Sequence, residues 1–410
     1  MPRDLDLQRA ARGLRCRSAV DWPTSTIESI PHDRFVPQSC PRPKCPQHKI
    51  GSHAFQYTRL KKAYQRKCDG RVVGRFLCQA CRKGFSQQSF AASYYLKRPE
   101  LTLPIAKGIV NGAAHRQIAR VVRCAHSTVT KRVARIGRHA ELLHGVCLAA
   151  LPGIWEPLNY DDFEAFTGSQ YHPFGLGTTV GHHSWFLYAI GFAPHRRGGL
   201  LSPAQRRRQA SWDARSKERI RDPYARSLTR QLDVLLPKVR ACPVIVMSDD
   251  KKDYARAIGR HPLGQEIRHL VYPNPKRGPK GSPRTPEARA RDLAMFPIDA
   301  LHRFTRHSIK SHARETIAFG RRSEAQLERA HVFAVFRNLI KARSERRPRS
   351  ITPAMWLKVT DVPWTWERIF ARRLQPTRAP EIAAWPELYG RRMSTPTLPN
   401  APPHQLKLAY

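Results

Sequence analysis

Pro157-Leu158-Asn159-Tyr160-Asp161-Asp162-Phe163-Glu164-Ala165-Phe166 alternates apolar and polar residues into a pair of aspartates, with a further acid two positions on. Period-two alternation predicts a strand, here one that delivers carboxylates to its end. The whole chain holds 31 acids against 73 lysines and arginines. A cluster of the scarce residue type on one strand is expected to bind a cation.

A second strand of the same kind follows. Pro243-Val244-Ile245-Val246-Met247-Ser248-Asp249-Asp250 is an apolar run ending in two more aspartates. Between the two, Gly177 to Gly181 and Ser184 to Gly191 read as a hairpin, residues 195–222 as charged helix or loop, and 224–240 as an amphipathic helix. A helix over 251–259 and a strand from Ile267 to Tyr272 come next. The order β-β-β-α-β-α-β-α, within residues 151–345, is that of an RNase H-like α/β fold. Residues 273–291, rich in Pro, Gly and Arg, predict a mobile basic loop. Pro297 and Asp299 then open a helix, where a carboxylate is favoured by the helix N-terminus. A long helix is expected from Ser323 to Lys341, with Phe333, Phe336, Leu339 and Ile340 inward. Residues 346–410 carry many prolines and Trp364-Thr365-Trp366, and predict a loosely packed tail.

Composition narrows the class. The chain has 410 residues, a net charge of +42 and a hydrophobic fraction of 41%. So large a positive excess calls for a polyanionic partner, nucleic acid first. No apolar run reaches bilayer-spanning length and no signal peptide is evident, so neither a membrane protein nor a secreted one is expected. Nine cysteines without a secretion signal suggest a reducing compartment, with thiols that bind metal or stay free.

Upstream of the acidic strands, residues 1–36 read as a flexible basic arm in which Cys16 is a free thiol. Within 37–97, Cys40 and Cys45 form one close pair and Cys78 and Cys81 another. Two such pairs on tight turns suit a closed, structural four-thiolate zinc site, with ribbon-like strands between Tyr57 and Val73. His48 and Cys68 are rival ligands. In 98–150, Thr102 and Pro104 start a helix that Gly112 ends, residues 115–122 form a second, and Arg123-Cys124-Ala125 is the turn into a third from Ser127 to Arg138. Val129, Val133 and Ile136 share one face of that third helix. Thr128, Lys131, Arg132, Arg135 and Arg138 lie elsewhere on it, the pattern of a helix-turn-helix whose third helix enters a major groove. A solvated basic helix in plain three-helix packing has the same pattern.

Phosphodiester chemistry requires a strong nucleophile and stabilisation of a highly charged transition state, which two divalent metals supply. Hard cations take oxygen ligands, so acids from separate strands must meet at one end of a sheet. Asp161 and Asp249 fit that need. With the cysteine pairs, Phe85-Ser86, Tyr94-Tyr95, Asp161-Asp162, Ser248-Asp249 and the run from Arg306 through Arg314-Glu315-Thr316 to Phe319, the chain resembles bacterial insertion-sequence transposases of the DDE class that carry an N-terminal zinc ribbon and helix-turn-helix. The resemblance spans about residues 38–345. It implies a catalytic set of Asp161, Asp249 and Asp299, the last at a position where the family usually has Glu. Glu324 and Glu328 are alternative third acids. It also implies two Mg2+ or Mn2+ ions.

The expectation is therefore a multidomain DNA transposase. It would bind double-stranded DNA at terminal inverted repeats and at a target, act as a homo-oligomer, and reside in a bacterial cytoplasm at the nucleoid. A non-catalytic DNA-binding protein derived from a transposase is the main alternative, and a zinc-ribbon RNA-processing nuclease a third. Arg303 and Arg306 share the face of Asp299 and could hold DNA backbone. His182, His183 and His302 could contact phosphate.

Overall fold

The structure is a computed structural model and describes residues 20, 22–215, 221–275, 278–279, 281–347, 350–380, 388–390, 392–393, 395 and 398. Cys16 and most of the expected basic arm lie outside the described residues.

The first unit is built from strands too short to bury a core of their own. They are β1 (Tyr57–Arg59), β2 (Tyr64–Gln65), β3 (Val72–Val73), β4 (Arg75–Cys78) and β5 (Gly84–Ser86). A three-stranded antiparallel sheet has the order β1-β4-β5, and β2 pairs with β3 separately. Its buried apolar cluster consists of Cys40, Cys45, Cys78 and Phe55, flanked by Tyr57, Cys81 and Phe85. The described residues before it are not a loose arm. Trp22 stacks on Trp364 at 5.6 Å, the Ile27 amide donates to Ala371 O at 2.7 Å, and Phe35 packs between Phe76 and Phe90. Two buried aromatic side chains and one backbone hydrogen bond fasten it as a strap.

Helices α1 (Thr102–Val110), α2 (His115–Val121) and α3 (His126–Ala149) follow. Gly112, at φ +77°, ends α1 as expected. The third helix does not stop near Arg138 but runs for 24 residues, so the boundary expected at 150 falls at the end of a helix that belongs to both sides. Gly137 serves as a crossing point. A Cβ there would lie 2.5 Å from Glu328 Cβ and 2.6 Å from Glu328 O.

The large sheet comprises β6 (Leu158–Phe166), β7 (Pro173–Gly181), β8 (Leu187–Ile190), β9 (Ala193–Pro194), β10 (Val244–Ser248) and β11 (Ile267–Val271). Their order is β11-β10-β6-β7-β8, with β9 on β7. β6, β7 and β8 are antiparallel neighbours, whereas β10 and β11 run parallel to β6, giving a mixed sheet. Helices α4 (Pro203–Arg215) and α5 (Pro223–Leu235) precede β10, and α6 (Lys252–Arg260) precedes β11. Then come α7 (Pro286–Ala294), α8 (Phe296–Ser308), α9 (Ser323–Val335), α10 (Pro353–Trp356) and α11 (Trp366–Ile369). The C-terminal part of the expected basic loop is thus the start of α7, capped by the Thr285 side chain.

Alternation along β6 sorts its neighbours. Tyr160 joins Leu228, Leu232, Val246 and Tyr254 under α5 and α6. Phe163, on the opposite face, meets His302 of α8 and His312. Helices therefore cover both faces of the sheet, and the protein is a mixed α/β fold. One hydrophobic cluster joins Ile105 of α1, Val133 of α3, Leu176 of β7, Phe333 of α9 and Trp364. The cluster runs without a break across residues 150 and 345, whereas the cysteine module keeps a small cluster of its own. The loose packing expected after residue 346 is corrected for the described part of that tail: Trp364, Trp366, Ile369 and Phe370 are all buried. Among the described residues, no helix is long and apolar enough to cross a membrane.

Two glycine substitutions test the α3–α9 crossing. Gly137→Ala adds helix propensity of about 1 kcal/mol but drives a methyl into backbone atoms. Overpacking of that kind costs about 1–3 kcal/mol or more, so a net fall in the thermal midpoint is expected. Gly259→Ala in α6 meets nothing within 4 Å and is expected to raise it. Equal shifts in the two variants would show that the crossing is not tight.

Candidate functional site

The four cysteines come together. Cys40 Sγ and Cys81 Sγ are 3.8 Å apart, and Cys45 Sγ and Cys78 Sγ 3.7 Å. All four sulfurs lie within 4.8 Å of one another, and among the described residues this is the group of metal-ligating side chains that converges so closely. Zn–S bonds of about 2.3 Å set the edge of a tetrahedron at about 3.8 Å, which the two short separations match. The cluster can hold one metal ion and is compatible with structural zinc. The rival ligands are engaged elsewhere. His48 uses both ring nitrogens, to Cys40 O at 2.7 Å and Thr377 Oγ1 at 2.6 Å. The exposed Cys68 thiol lies against Leu96 O.

The acidic site forms where β6 and β10 run side by side. Val246 stands opposite Leu158 and Met247 opposite Asn159. Two residues further, just beyond the end of β10, Asp249 is level with Asp161. Burial, and then the charge of Asp161, push the Asp249 carboxyl above the usual range. Burial also raises Asp161 to about 6. Asp161 Oδ1 accepts from the Asp162 amide at 2.8 Å and the Tyr254 hydroxyl at 3.3 Å.

The other oxygen of Asp161, Oδ2, lies 3.6 Å from His302 Nδ1. Thr178 Oγ1 donates to Asp161 O at 3.1 Å and lies 2.9 Å from His302 Nε2. With the threonine proton committed, Nε2–H is the donor. Burial holds His302 down at about 4, so the ring is neutral at pH 7 and Nδ1 carries a lone pair. Two acceptors then face each other, an arrangement that a proton or a cation between them relieves.

No protein-family profile, curated protein or solved structure matches the chain. The reading of the site therefore rests on its own geometry.

Asp299 stands on the first turn of α8, which packs on β6 and β7. Its carboxylate is held by Arg291 of α7 in a two-point ion pair. Asp299 is nevertheless among the charges acting on Asp161. The three aspartates do not draw as close together as the cysteines do. Glu324 and Glu328 are buried on α9, and Glu328 pairs with Arg138 of α3 at 3.3 Å. They belong to the helix crossing, so of the three candidates Asp299 is the acid beside Asp161.

Asp162 points to the opposite face of the sheet. It is buried, accepts from the Tyr254 hydroxyl at 2.7 Å, and is raised by burial to about 7. Tyr254, Lys251 and Arg291 were not anticipated from sequence. Only Tyr254 carried a signal, as the aromatic residue four positions past the acidic pair. Lys251 Nζ lies 3.4 Å from Glu164 Oε1 and 3.5 Å from the centre of the Tyr224 ring. Arg306 covers Phe163 at 4.3 Å, while Arg303 is exposed. His182 bonds Asn159 Oδ1 at 3.0 Å and so has a structural partner.

The basic helix needs correction. Arg132 and Arg138 are buried and Arg135 is half-buried. Arg132 donates to Arg98 O at 3.0 Å and to Thr102 Oγ1, and Arg135 donates to Tyr94 O at 2.5 Å. These guanidinium groups satisfy loop carbonyls because the longer α3 is covered by neighbouring segments. Thr128 is half-buried and Lys131 exposed. Arg116, Arg120 and Arg123, on α2 and the turn, are exposed beside them.

Proposed function

We propose that this protein cuts and joins DNA strands as a transposase of the DDE/DDD kind. The observation that carries the reading is the placement of Asp161 and Asp249 level with each other on adjacent parallel strands, with Asp299 on the helix that packs over them. Three antiparallel strands in sequence, extended at β6 by two parallel ones, agree with an RNase H-like arrangement. The net charge of +42 suits a DNA partner.

Asp161 and Asp249 would hold the divalent metal, with Asp299 joining once it parts from Arg291. Bound magnesium would activate water and neutralise charge in the transition state. Tyr254 fixes the first strand's carboxylate directly, and Thr178 orients the His302 ring beside it. Arg291 then has a second role, as the group that keeps Asp299 satisfied until metal or DNA phosphate displaces it. The cysteine module, read as a zinc ribbon, and the surface bearing Thr128, Lys131, Arg116 and Arg120 would together hold the terminal inverted repeats, with duplex on the helical surface. Two ends handled together imply a homo-oligomer.

The test is magnesium-dependent strand cleavage by the purified protein. Losing several kcal/mol of transition-state stabilisation means a fall of at least about a hundredfold. Asp161→Asn, Asp249→Asn and Asp299→Asn are expected to show it. Glu328→Gln is expected to lower the thermal midpoint, because Arg138 loses its buried partner, and to leave the chemistry intact. Full activity in Asp249→Asn would remove the assignment. The Arg291 clamp favours a second reading, a DNA binder that no longer cleaves. Absence of cleavage in the wild type, with salt-dependent DNA binding retained, would select it.

A further inference from the structure

A groove of about 1340 Å³ runs between the cysteine module and the segment that leads into α1. It exceeds the roughly 300–1,000 Å³ of small-molecule pockets, which leaves room for a segment of polymer. Arg42, Lys44, Lys67, Arg75, Lys83 and Lys97 line it, all exposed. None of these six forms an ion pair among the described residues, and no acid lines the groove. Uncompensated cations along a concave track are complementary to a phosphate backbone.

Aromatic rings are interleaved with these charges. Tyr64 is 37% exposed and Tyr95 68% exposed, and both line the groove. Tyr95 also has φ +58°, a conformation that is an outlier for a bulky residue and gathers at functional positions. Tyr94 contacts it edge-on at 4.5 Å, and Arg373 covers the Tyr94 ring at 4.2 Å. Tyr94 and Arg373 thereby brace the ring that is left in solvent. A duplex keeps its bases stacked on one another and offers such a ring nothing to stack on. An unpaired strand does.

We propose that this groove binds single-stranded DNA, with the backbone along the six cations and a base stacked on Tyr95. The inference builds on the proposed DNA strand chemistry only for the source of the strand: the unpaired end released at a cut. The helical hairpin surface remains for duplex.

Fluorescence anisotropy of the full-length, zinc-loaded protein with labelled oligothymidine of about 12 nucleotides, within the usual site sizes, tests it. Blunt duplex DNA and oligouridine serve as competitors. Tyr95→Ala is expected to weaken oligothymidine binding about tenfold, as stacking of one base on an aromatic side chain implies. Tyr95→Phe keeps the ring and is expected to bind as the wild type does. Lys67→Glu with Lys97→Glu, on exposed side chains, is expected to weaken binding and flatten its salt dependence. Duplex binding through the hairpin is expected to be unchanged in Tyr95→Ala. Oligothymidine binding unaffected by Tyr95→Ala, duplex displacing oligothymidine from the wild type at equal concentration, or tighter binding of oligouridine would each overturn the proposal. Magnesium-dependent cleavage by the same preparations is read separately. Failure of the wild type to bind the strand, with its cleavage of duplex intact, sinks the groove alone, whereas strand binding without any cleavage sinks the enzyme reading alone.

Discussion

Cys78→Ser is expected to unravel residues 38–97 while leaving the α/β body folded. The reason is that the ligands are the core: three of the four fully buried members of the module's apolar cluster are cysteines, with Phe55 the fourth. Its strands are two to four residues long, too short to be stable without the metal link. Structural zinc contributes on the order of 10–16 kcal/mol in small domains, more than a single hydrophobic contact by a wide margin. Burial pushes the Cys40 thiol up when no cation is near, so metal loading should release protons and weaken as pH falls. Bound zinc, measured by elemental analysis, should drop from one per chain to near none. Limited proteolysis should cut within 38–97, and a body surviving as a resistant fragment is the expected companion result. A Cys78→Ser protein as resistant as the wild type would show that the thiol cluster does not hold the module together.

Mild acid should unfold the body. His139, His144, His312 and His331 are buried among α3, α9 and the sheet. Burial holds the first two at about 4 and the last two at about 3, from an ordinary 6.5. Between those values and 6.5 the unfolded chain binds more protons than the folded one, so stability rises with pH across that window and is lost as pH falls through it. Each shift is worth on the order of 3 kcal/mol. Four together approach the roughly 5–15 kcal/mol stability of a whole domain.

Asp161 and Asp162 act in the opposite sense. Their folded values, about 6 and about 7, lie above the ordinary 3.8, so they favour the fold at low pH and cost stability as they ionise. Four histidines outweigh two aspartates, and the net thermal midpoint should fall from pH 7 to pH 5. His331→Leu should flatten the slope by about one proton. Magnesium, if it binds at Asp161 and Asp249, should raise the midpoint at pH 7 more than at pH 5. A midpoint that stays level between pH 7 and 5 would contradict the histidine account.

What the sequence yields and what it hides have physical causes. Alternation from Leu158 to Phe166 is read directly because one residue per face is all a strand requires. The same is true of the apolar run ending at Asp249, and of the cysteine pairs, where spacing alone brings sulfurs together. Helix α3 is under-read because α9, which packs on it at Gly137 and Arg138, lies 190 residues away along the chain. Arg132, Arg135 and Arg138 look like a DNA-facing stripe because charge suggests solvent. Their true partners, carbonyls at 94 and 98 and the acid at 328, lie far off along the chain. The prolines after 349 suggest looseness, yet Trp364, Trp366 and Phe370 are buried in the cluster shared with the rest of the body. Asp299 is placed near Asp161 as its helical position suggests, but Arg291, at the end of a stretch read as loop, takes its charge.

The strap makes the front of the molecule depend on its far end. Val20 bonds to Val359, Trp22 bonds to Arg368 and stacks on Trp364, Ile27 bonds to Ala371, and Arg373 to Phe90. On a ribosome, the cysteine module emerges hundreds of residues before the segment that clamps it to the body. Its final orientation is therefore set only once synthesis has passed residue 373. A chain released early, even one retaining both acidic strands, would carry a tethered but unaligned cysteine module, so premature termination should separate the module from the body rather than yield a smaller copy of the same architecture.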